Sequence, residues 1–143
     1  MTLVVLMILC TVLYASFEIF AGLAGNHINS WLAAVMYNGI GTLVPLIVYL
    51  SVASKGKTTA KGIFFAGLAG VGIMLFSVIF ARIFALGGDL PYVIPVIYGG
   101  AIVLSSMFGW LVLRDRLSLL QGAGLMLILA GITLVVVAKA RVA

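Results

Sequence analysis

Residues 3–24 read LVVLMILCTVLYASFEIFAGLA, an apolar run that contains one charged side chain, Glu18. A helix needs about 20 apolar residues to cross the hydrocarbon core of a bilayer, and this run is that long. Because the run continues for the length of a membrane span without a turn signal, it predicts a transmembrane helix. No lysine or arginine occurs in residues 1–54, so the carboxylate of Glu18 lies far in sequence from those cations.

The composition of the whole chain indicates an integral membrane protein. Of its 143 residues, 65% are hydrophobic and 8% are charged. Soluble domains are about half apolar and about one quarter charged. The net charge of +5 does not indicate a nucleic-acid partner, because the basic residues cluster in short gaps between apolar runs, where they set membrane topology. We therefore expect the lipid bilayer to be the solvent and no nucleic acid to be bound.

Short polar gaps divide the chain into five apolar segments of transmembrane length. The predicted spans are about 3–24, 30–53, 62–85, 91–113 and 119–138. The segments are continuously apolar, whereas barrel strands alternate in units of about 10 residues, so helices are favoured over strands. No linker separates the spans, so residues 1–143 are interpreted as a single five-helix membrane domain in an all-α fold.

The basic residues give a weak orientation signal. With five spans the termini lie on opposite sides, and the basic residues on the N-terminal side are Lys55, Lys57, Lys61, Arg114 and Arg116. Those on the other side are Arg82, Lys139 and Arg141. The positive-inside rule favours an internal N-terminus, but the small excess also fits a chain that inserts in both orientations. Both interpretations stay open at this point.

Small residues form ridges on three of the predicted helices. They are Gly62, Ala66 and Gly70 in the third span, Ala101, Ser105 and Gly109 in the fourth, and Gly124 and Gly131 in the fifth. Their spacing of four or seven residues places each set on one helix face, where small side chains allow helix backbones to approach closely. The ridges predict helix packing, either within one subunit or between two.

The fourth span opens with PYVIPVIYGG, residues 91–100. Pro91 suits a first helical turn, whereas Pro95 lies deeper and leaves a backbone carbonyl without its usual donor. Interrupted helices of this kind often mark substrate sites in transporters, although a simple kink that improves packing is the alternative.

The second half of the chain resembles a known family. PYVIPVIYGGAIVLSSMFGWLVLRDRLSLLQGAGLMLILAGITLVVVA, residues 91–138, is similar to the closing half-repeat of the drug/metabolite transporter superfamily, EamA type. That pattern has prolines opening a span, a short L-x-E-x-L-S/T loop, and then Q-x-x-G and G-I-x-L. The matching residues are Pro91, Pro95, Leu113, Leu117, Ser118, Gln121, Gly124, Gly131, Ile132 and Leu134, while Asp115 replaces the loop glutamate. FEIFAGLAGNHINSWLAAVMYNGIGTLV, residues 17–44, also resembles the opening of half-length members.

The resemblance implies an architecture and an activity. Full-length relatives have ten spans, as two five-span repeats of opposite orientation, so a five-span chain is expected to supply one half-repeat and to find the other in a second copy or in a partner subunit. The related small multidrug resistance transporters work as antiparallel dimers, and an acid in their first span binds protons and substrate in competition. The resemblance thus implies an exporter in the inner cell membrane of a prokaryote, acting as an antiparallel homodimer, with no cofactor.

Glu18 is the leading candidate for a substrate and proton ligand. A carboxylate inside a span is costly and normally faces a cavity or a partner. Tyr14 and Gly22 lie one turn to either side, and an aromatic ring beside an acid suits a cation. Two alternatives stay open, namely an ion pair with Arg82 and snorkelling of the carboxylate to the interface.

Other polar side chains are weaker candidates for the same cavity. They are Tyr37, Asn38, Ser77, Tyr98 and Ser105, and groups of this kind also form hydrogen bonds between helices. Four aromatic residues near span ends, Trp31, Tyr49, Tyr92 and Trp110, are interpreted as interfacial anchors.

An enzyme or a metal site is not indicated. The chain has one histidine, one cysteine and three acids on separate segments, without a nucleophile–base pair or a cluster of metal ligands. The favoured function is the alternating-access export of a small organic solute, with proton exchange through Glu18. A facilitator of neutral metabolites, a subunit of a lipid-linked-sugar flippase and a non-transporting membrane assembly subunit are the alternatives.

Overall fold

The structure, a computed structural model, describes residues 2–25, 27–51 and 58–142 of the chain. In these ranges it has five α-helices, which are α1 (Thr2–Ala24), α2 (Ser30–Ser51), α3 (Ala60–Ala85), α4 (Leu90–Phe108) and α5 (Leu119–Val142), with a π-helical turn at Gly109–Leu113. Each helix, counting the π turn with α4, is long and apolar enough to cross a membrane. The predicted all-α membrane architecture is confirmed at this level.

The helix boundaries follow the predicted spans closely. The last helix is longer than predicted and continues beyond Ala138 to Val142. Residues 52–57 lie outside the described residues, so the predicted end of the second span and the charges of Lys55 and Lys57 have no structural account.

Side-chain caps explain where two of the helices begin. The hydroxyl of Thr59 accepts a hydrogen bond from the backbone N–H of Gly62 and opens α3. Ser118 and Gln121 form a reciprocal capping box at the start of α5: the Ser118 N–H donates to Gln121 Oε1 at 2.8 Å, and the Gln121 N–H donates to Ser118 Oγ at 3.2 Å. These two motif residues of the sequence resemblance therefore have a local structural role.

The irregular backbone of α4 lies at its end rather than at Pro95. The α-helix continues through Pro95, and the backbone changes from α-helical to π-helical hydrogen bonding only at Gly109–Leu113. There the chain leaves the helix through Arg114, which adopts a left-handed conformation (φ 58°), and the Asp115 N–H donates to the Gly109 carbonyl at 3.1 Å. A glycine has no side chain to stabilise the last α turn, so the wider turn is accommodated at Gly109.

The chain divides into two compact units, Met1–Gly87 and Gly88–Ala143. In the first unit α3 packs against both α2 and α1. Its core consists mainly of alanine and phenylalanine side chains, namely Ala21, Ala33, Ala34, Phe80, Ala81 and Phe84. Gly25, just after α1, lies directly against Phe84, so that close approach depends on the missing side chain. The single-domain assignment stays a prediction.

The second unit is an antiparallel hairpin of α4 and α5. Gly99, which is buried, lies against the side chains of Ile128 and Ile132, and Val103, one turn later on α4, is also buried. At the open end of the hairpin, the ammonium of Lys139 forms an ion pair with the carboxylate of Asp89. This pair joins the beginning of α4 to the end of α5.

Apolar side chains cover most of the described surface. Along the first half of α1, for example, Leu3, Leu6 and Leu9 are 70%, 53% and 52% exposed. Several serine and threonine hydroxyls in the helices donate to backbone carbonyls of the preceding turn, as in Thr11 to Met7 and Thr133 to Leu129. Both features are consistent with contact between these helices and the hydrocarbon of a bilayer.

Candidate functional site

Five aromatic rings form a connected cluster in the first unit. Phe17 of α1 meets Tyr37 of α2 edge to face at 5.4 Å between ring centroids, and it stacks on Phe80 of α3 at 5.9 Å. Phe76 and Phe84 extend the cluster along α3, at 5.0 and 4.9 Å from Phe80. These five residues, called the aromatic cluster below, bring side chains from α1, α2 and α3 together.

The spacing of the phenylalanines explains the position of the cluster. Residues 76, 80 and 84 are four apart, so they lie on one face of α3. Phe80 is 1% exposed and is the largest fully buried side chain of the described residues. Sequence reasoning missed these three residues, although their regular spacing is a signal that was present in the sequence.

Glu18 is next in sequence to a member of the aromatic cluster. It follows Phe17 directly and precedes the buried Ala21 by about one turn. Its side chain is partly buried, and no described residue forms an ion pair or a hydrogen bond with its carboxylate. A partly buried acid beside aromatic rings is a suitable ligand for an organic cation or a proton.

Tyr14 is connected to this site through Phe17. The two ring centroids are 6.0 Å apart with an interplanar angle of 34°. Tyr14 is 44% exposed and lines a shallow apolar groove of about 490 Å³ with Cys10, Leu13 and Phe17. Tyr14 and Glu18 are four residues apart on α1, so they lie on the same face of that helix.

Two neighbouring polar residues of α2 were predicted for the same cavity, and the first of them, Tyr37, belongs to the aromatic cluster. The Tyr37 hydroxyl is buried and has no hydrogen-bond partner in the described part of the chain. The amide of Asn38 donates to the Ala34 carbonyl at 2.8 Å, so one of its donors is used within α2. A buried hydroxyl without a partner is costly and is available to a bound molecule or water.

The remaining predicted cavity residues belong to the second unit or bond within their own helix. Tyr98 is partly buried in α4. Ser105 is exposed, and its hydroxyl donates to the Ile102 carbonyl at 3.1 Å. In the first unit, the buried Ser77 donates to the Ile73 carbonyl at 2.7 Å. The predicted residues whose rings contact Phe17 are thus Tyr14 and Tyr37, and Glu18 follows Phe17 in the chain.

Arg82 does not pair with Glu18 among the described residues. Its exposed side chain lines a separate polar cleft with Asn29, Ser30 and Trp31 at the beginning of α2. The ion pair between Glu18 and Arg82 therefore stays a prediction.

The predicted packing ridges have open space around them. A Cβ atom built on Gly70, Gly124 or Gly131 has no neighbour within 4 Å, and the one on Gly62 meets only its own cap, Thr59, at 3.2 Å. Ala66, Ala101 and Ser105 are exposed, and a Cβ on Gly109 would lie 3.0 Å from the carboxylate of Asp115. The close helix contact within the second unit uses Gly99 instead. Residues 99 and 101 are about 200° apart around a helix, so the predicted ridge of α4 faces away from α5.

A metal site is not formed by the described residues. They include no group of three or more histidine, cysteine, aspartate or glutamate side chains close enough to hold an ion. The free cysteine, Cys10, is exposed on α1.

Comparisons with protein families, curated proteins and solved structures find no match to this chain. The resemblance to half-length drug/metabolite transporters and the predicted half-repeat therefore stay predictions, which depend on the motif residues of the sequence.

Proposed function

We propose that the chain is a half-length transporter of the drug/metabolite superfamily that exports a small organic solute from the cell by alternating access. In this proposal it works as an antiparallel homodimer in the inner membrane, and proton exchange through Glu18 drives export. The observation that carries the proposal is the carboxylate of Glu18, which is partly buried within an apolar helix and has no ionic partner among the described residues.

The surroundings of Glu18 support an organic solute. Phe17, next to Glu18, joins the aromatic cluster, and Tyr37 adds a buried hydroxyl without a partner in the described part of the chain. Aromatic faces attract cations and apolar bodies alike, while the carboxylate supplies the charge that a proton or a cationic group neutralises. Competition between proton and solute for one carboxylate would couple their movements in opposite directions.

The open glycine ridges support a second copy as the missing half. A transporter built from a single five-helix repeat needs an inverted partner repeat to enclose a site at the midplane. Within its own unit, neither Gly70 nor Gly131 would have a described neighbour within 4 Å of an added Cβ, which leaves space on these faces for close helix approach by a second copy.

Flux measurements on proteoliposomes test the proposal. The purified protein is reconstituted with a pH-sensitive dye inside, and a panel of amines and neutral metabolites is added under an imposed proton gradient. We expect at least one solute to move with an opposite proton flux in the wild type and not in Glu18→Gln. Solute movement without proton movement in both proteins would replace exchange with facilitated diffusion, and no movement of any solute would favour a non-transporting membrane subunit.

A further inference from the structure

A polar cleft lies in the first unit between the start of α2 and the last turns of α3. Its volume is about 270 Å³, and its lining residues are Asn29, Ser30, Trp31, Val78 and Arg82. None of these residues is acidic, and one carries a guanidinium. The cleft is separate from the carboxylate of Glu18 and has no role in the proposed export mechanism.

Ser30 is the unusual residue of this cleft. It is 8% exposed, yet its hydroxyl forms no hydrogen bond with any described residue. The hydroxyls of Ser16 and Ser77, by contrast, donate to carbonyls four residues earlier in their own helices. Ser30 is the first residue of α2, so no earlier turn of that helix offers it a carbonyl. Ser30 lines the cleft, and its hydroxyl, which has no partner in the described part of the chain, is available to a group from outside the protein.

The other polar groups of the cleft are donors or positive ends of dipoles. Asn29 Oδ1 accepts the Trp31 N–H at 2.9 Å, which caps α2 and leaves the Asn29 amide NH₂ as a donor. The N-terminus of a helix carries a partial positive charge and offers N–H groups to anions. Arg82 adds a full positive charge with a planar fork of donors. The donor set of Asn29, Ser30 and Arg82 thus matches a tetrahedral oxyanion.

The position of Trp31 indicates which oxyanion is available. Its indole is 69% exposed at the first turn of a predicted span, and tryptophan is enriched at the level of lipid headgroups. We infer that the cleft formed by Asn29, Ser30 and Arg82 is a binding site for a phosphate group, carried by a phospholipid headgroup or by free phosphate. Such a site holds the α2–α3 end of the first unit at headgroup depth.

Fluorescence of Trp31 measures the binding directly. The full chain carrying Trp110→Phe, which leaves Trp31 as its one tryptophan, is purified in an uncharged detergent. It is titrated at constant ionic strength with inorganic phosphate, with phosphatidylglycerol, and with a galactosyl diacylglycerol that has the same acyl chains but no phosphate. The same titrations are made with Arg82→Gln, Arg82→Lys and Ser30→Ala, and with Arg114→Gln as a matched arginine control.

We expect phosphate and phosphatidylglycerol to give saturable changes in emission and the galactolipid to give none. Arg82→Gln lowers the phosphate affinity at least about tenfold, because a charge-assisted bond is lost, and Ser30→Ala lowers it about two- to fivefold. Arg82→Lys keeps part of the affinity, and Arg114→Gln keeps all of it. Stronger binding of phosphatidylglycerol than of phosphate identifies the lipid as the source, and equal binding identifies free phosphate.

Three results would overturn the inference. They are an unchanged Trp31 emission with both phosphate compounds, an equal response to the galactolipid, and an equal loss of affinity in Arg114→Gln. Size-exclusion profiles of every variant separate a lost site from a lost fold, and Ser30→Ala keeps the test decisive if Arg82→Gln does not fold.

Discussion

The Cα atom of Gly99 lies against the side chain of Ile132, so that a methyl group at position 99 would be 2.7 Å from Ile132 Cδ1 and 2.9 Å from Cγ1. Of the glycines in α4 and α5, only Gly99 has a side chain of the other helix this close. Gly100, the next residue, has no atom within 4 Å of a built Cβ. The packing of α4 against α5 therefore requires a glycine at position 99 but not at position 100.

Gly99→Leu should destabilise the α4–α5 hairpin, and Gly100→Leu should not. The larger side chain at position 99 must push Ile132 and Ile128 away, and overpacking of this kind costs about 1–3 kcal/mol. The measurement is thermal unfolding of both variants in the same detergent. A second variant, Gly99→Leu with Ile132→Ala, should recover part of the loss. Equal unfolding temperatures for the two leucine variants would contradict the contact.

Gly25→Ala should destabilise the first unit. Its new methyl group would overlap the Cβ of Phe84, and the Phe84 backbone carbon atoms at 3.1 and 3.2 Å cannot move away as a side chain does. We expect a loss of about 1–3 kcal/mol in the free energy of unfolding. Gly39→Ala in α2 is the control, because the added methyl group would meet nothing within 4 Å and alanine favours a helix. A control that loses as much stability as Gly25→Ala would defeat this explanation.

Glu18→Gln should keep the stability of the protein, and so should Arg82→Gln. Neither side chain has an ionic partner among the described residues, so no pair is broken, and a neutral amide is cheaper to bury than a carboxylate. If the two residues paired in a desolvated environment, removing one partner would cost about 3–5 kcal/mol, and the double variant would recover part of it. Unfolding temperatures of both single variants and of the double variant distinguish these two cases. A loss of stability in the single variants that is recovered in the double variant would show that Glu18 and Arg82 form an ion pair.

Gly131→Leu should weaken the homodimer without destabilising the monomer. Within the second unit no described residue approaches the face of α5 at Gly131, so we expect a leucine there to obstruct an approaching copy. Gly122→Leu is the matched control, because a Cβ added at Gly122 also meets nothing within 4 Å. Gly122 lies nine residues earlier, or about two and a half turns, on the opposite face. Dimer formation is followed by energy transfer between labelled copies in liposomes. If the Gly131→Leu variant forms dimers as readily as the Gly122→Leu variant, this face of α5 contacts lipid.

The orientation of the chain should be dual. The five basic residues on the predicted N-terminal side exceed the three on the other by little, so both insertions are favoured to a similar degree. A cysteine placed at the C-terminus, in a background without Cys10, should be partly accessible and partly inaccessible to an impermeant maleimide on intact cells. Uniform labelling, or its uniform absence, would rule out a self-sufficient antiparallel dimer and leave a partner subunit or a parallel assembly.

The sequence alone determined the helices and their approximate ends. In a bilayer, an isolated apolar segment can satisfy its backbone hydrogen bonds only as an α-helix. The composition and the positions of the polar gaps were therefore sufficient to predict the helices. Local signals also determined the helix starts, since the capping box of Ser118 and Gln121 depends only on residues three apart. The presence of Glu18 within α1 was equally visible in the sequence.

Only the tertiary structure decided which small residues pack and which polar residues meet. All faces of these helices are apolar, so periodicity does not indicate which side of α4 contacts α5, and the structure selected Gly99 rather than the ridge of Ala101 and Ser105. The same holds for the aromatic cluster beside Glu18, and for Arg82, whose side chain lines a cleft with Ser30. Contacts between helices depend on their relative rotation, which is set by side-chain packing over long sequence separations and leaves no periodic signal in a uniformly apolar chain.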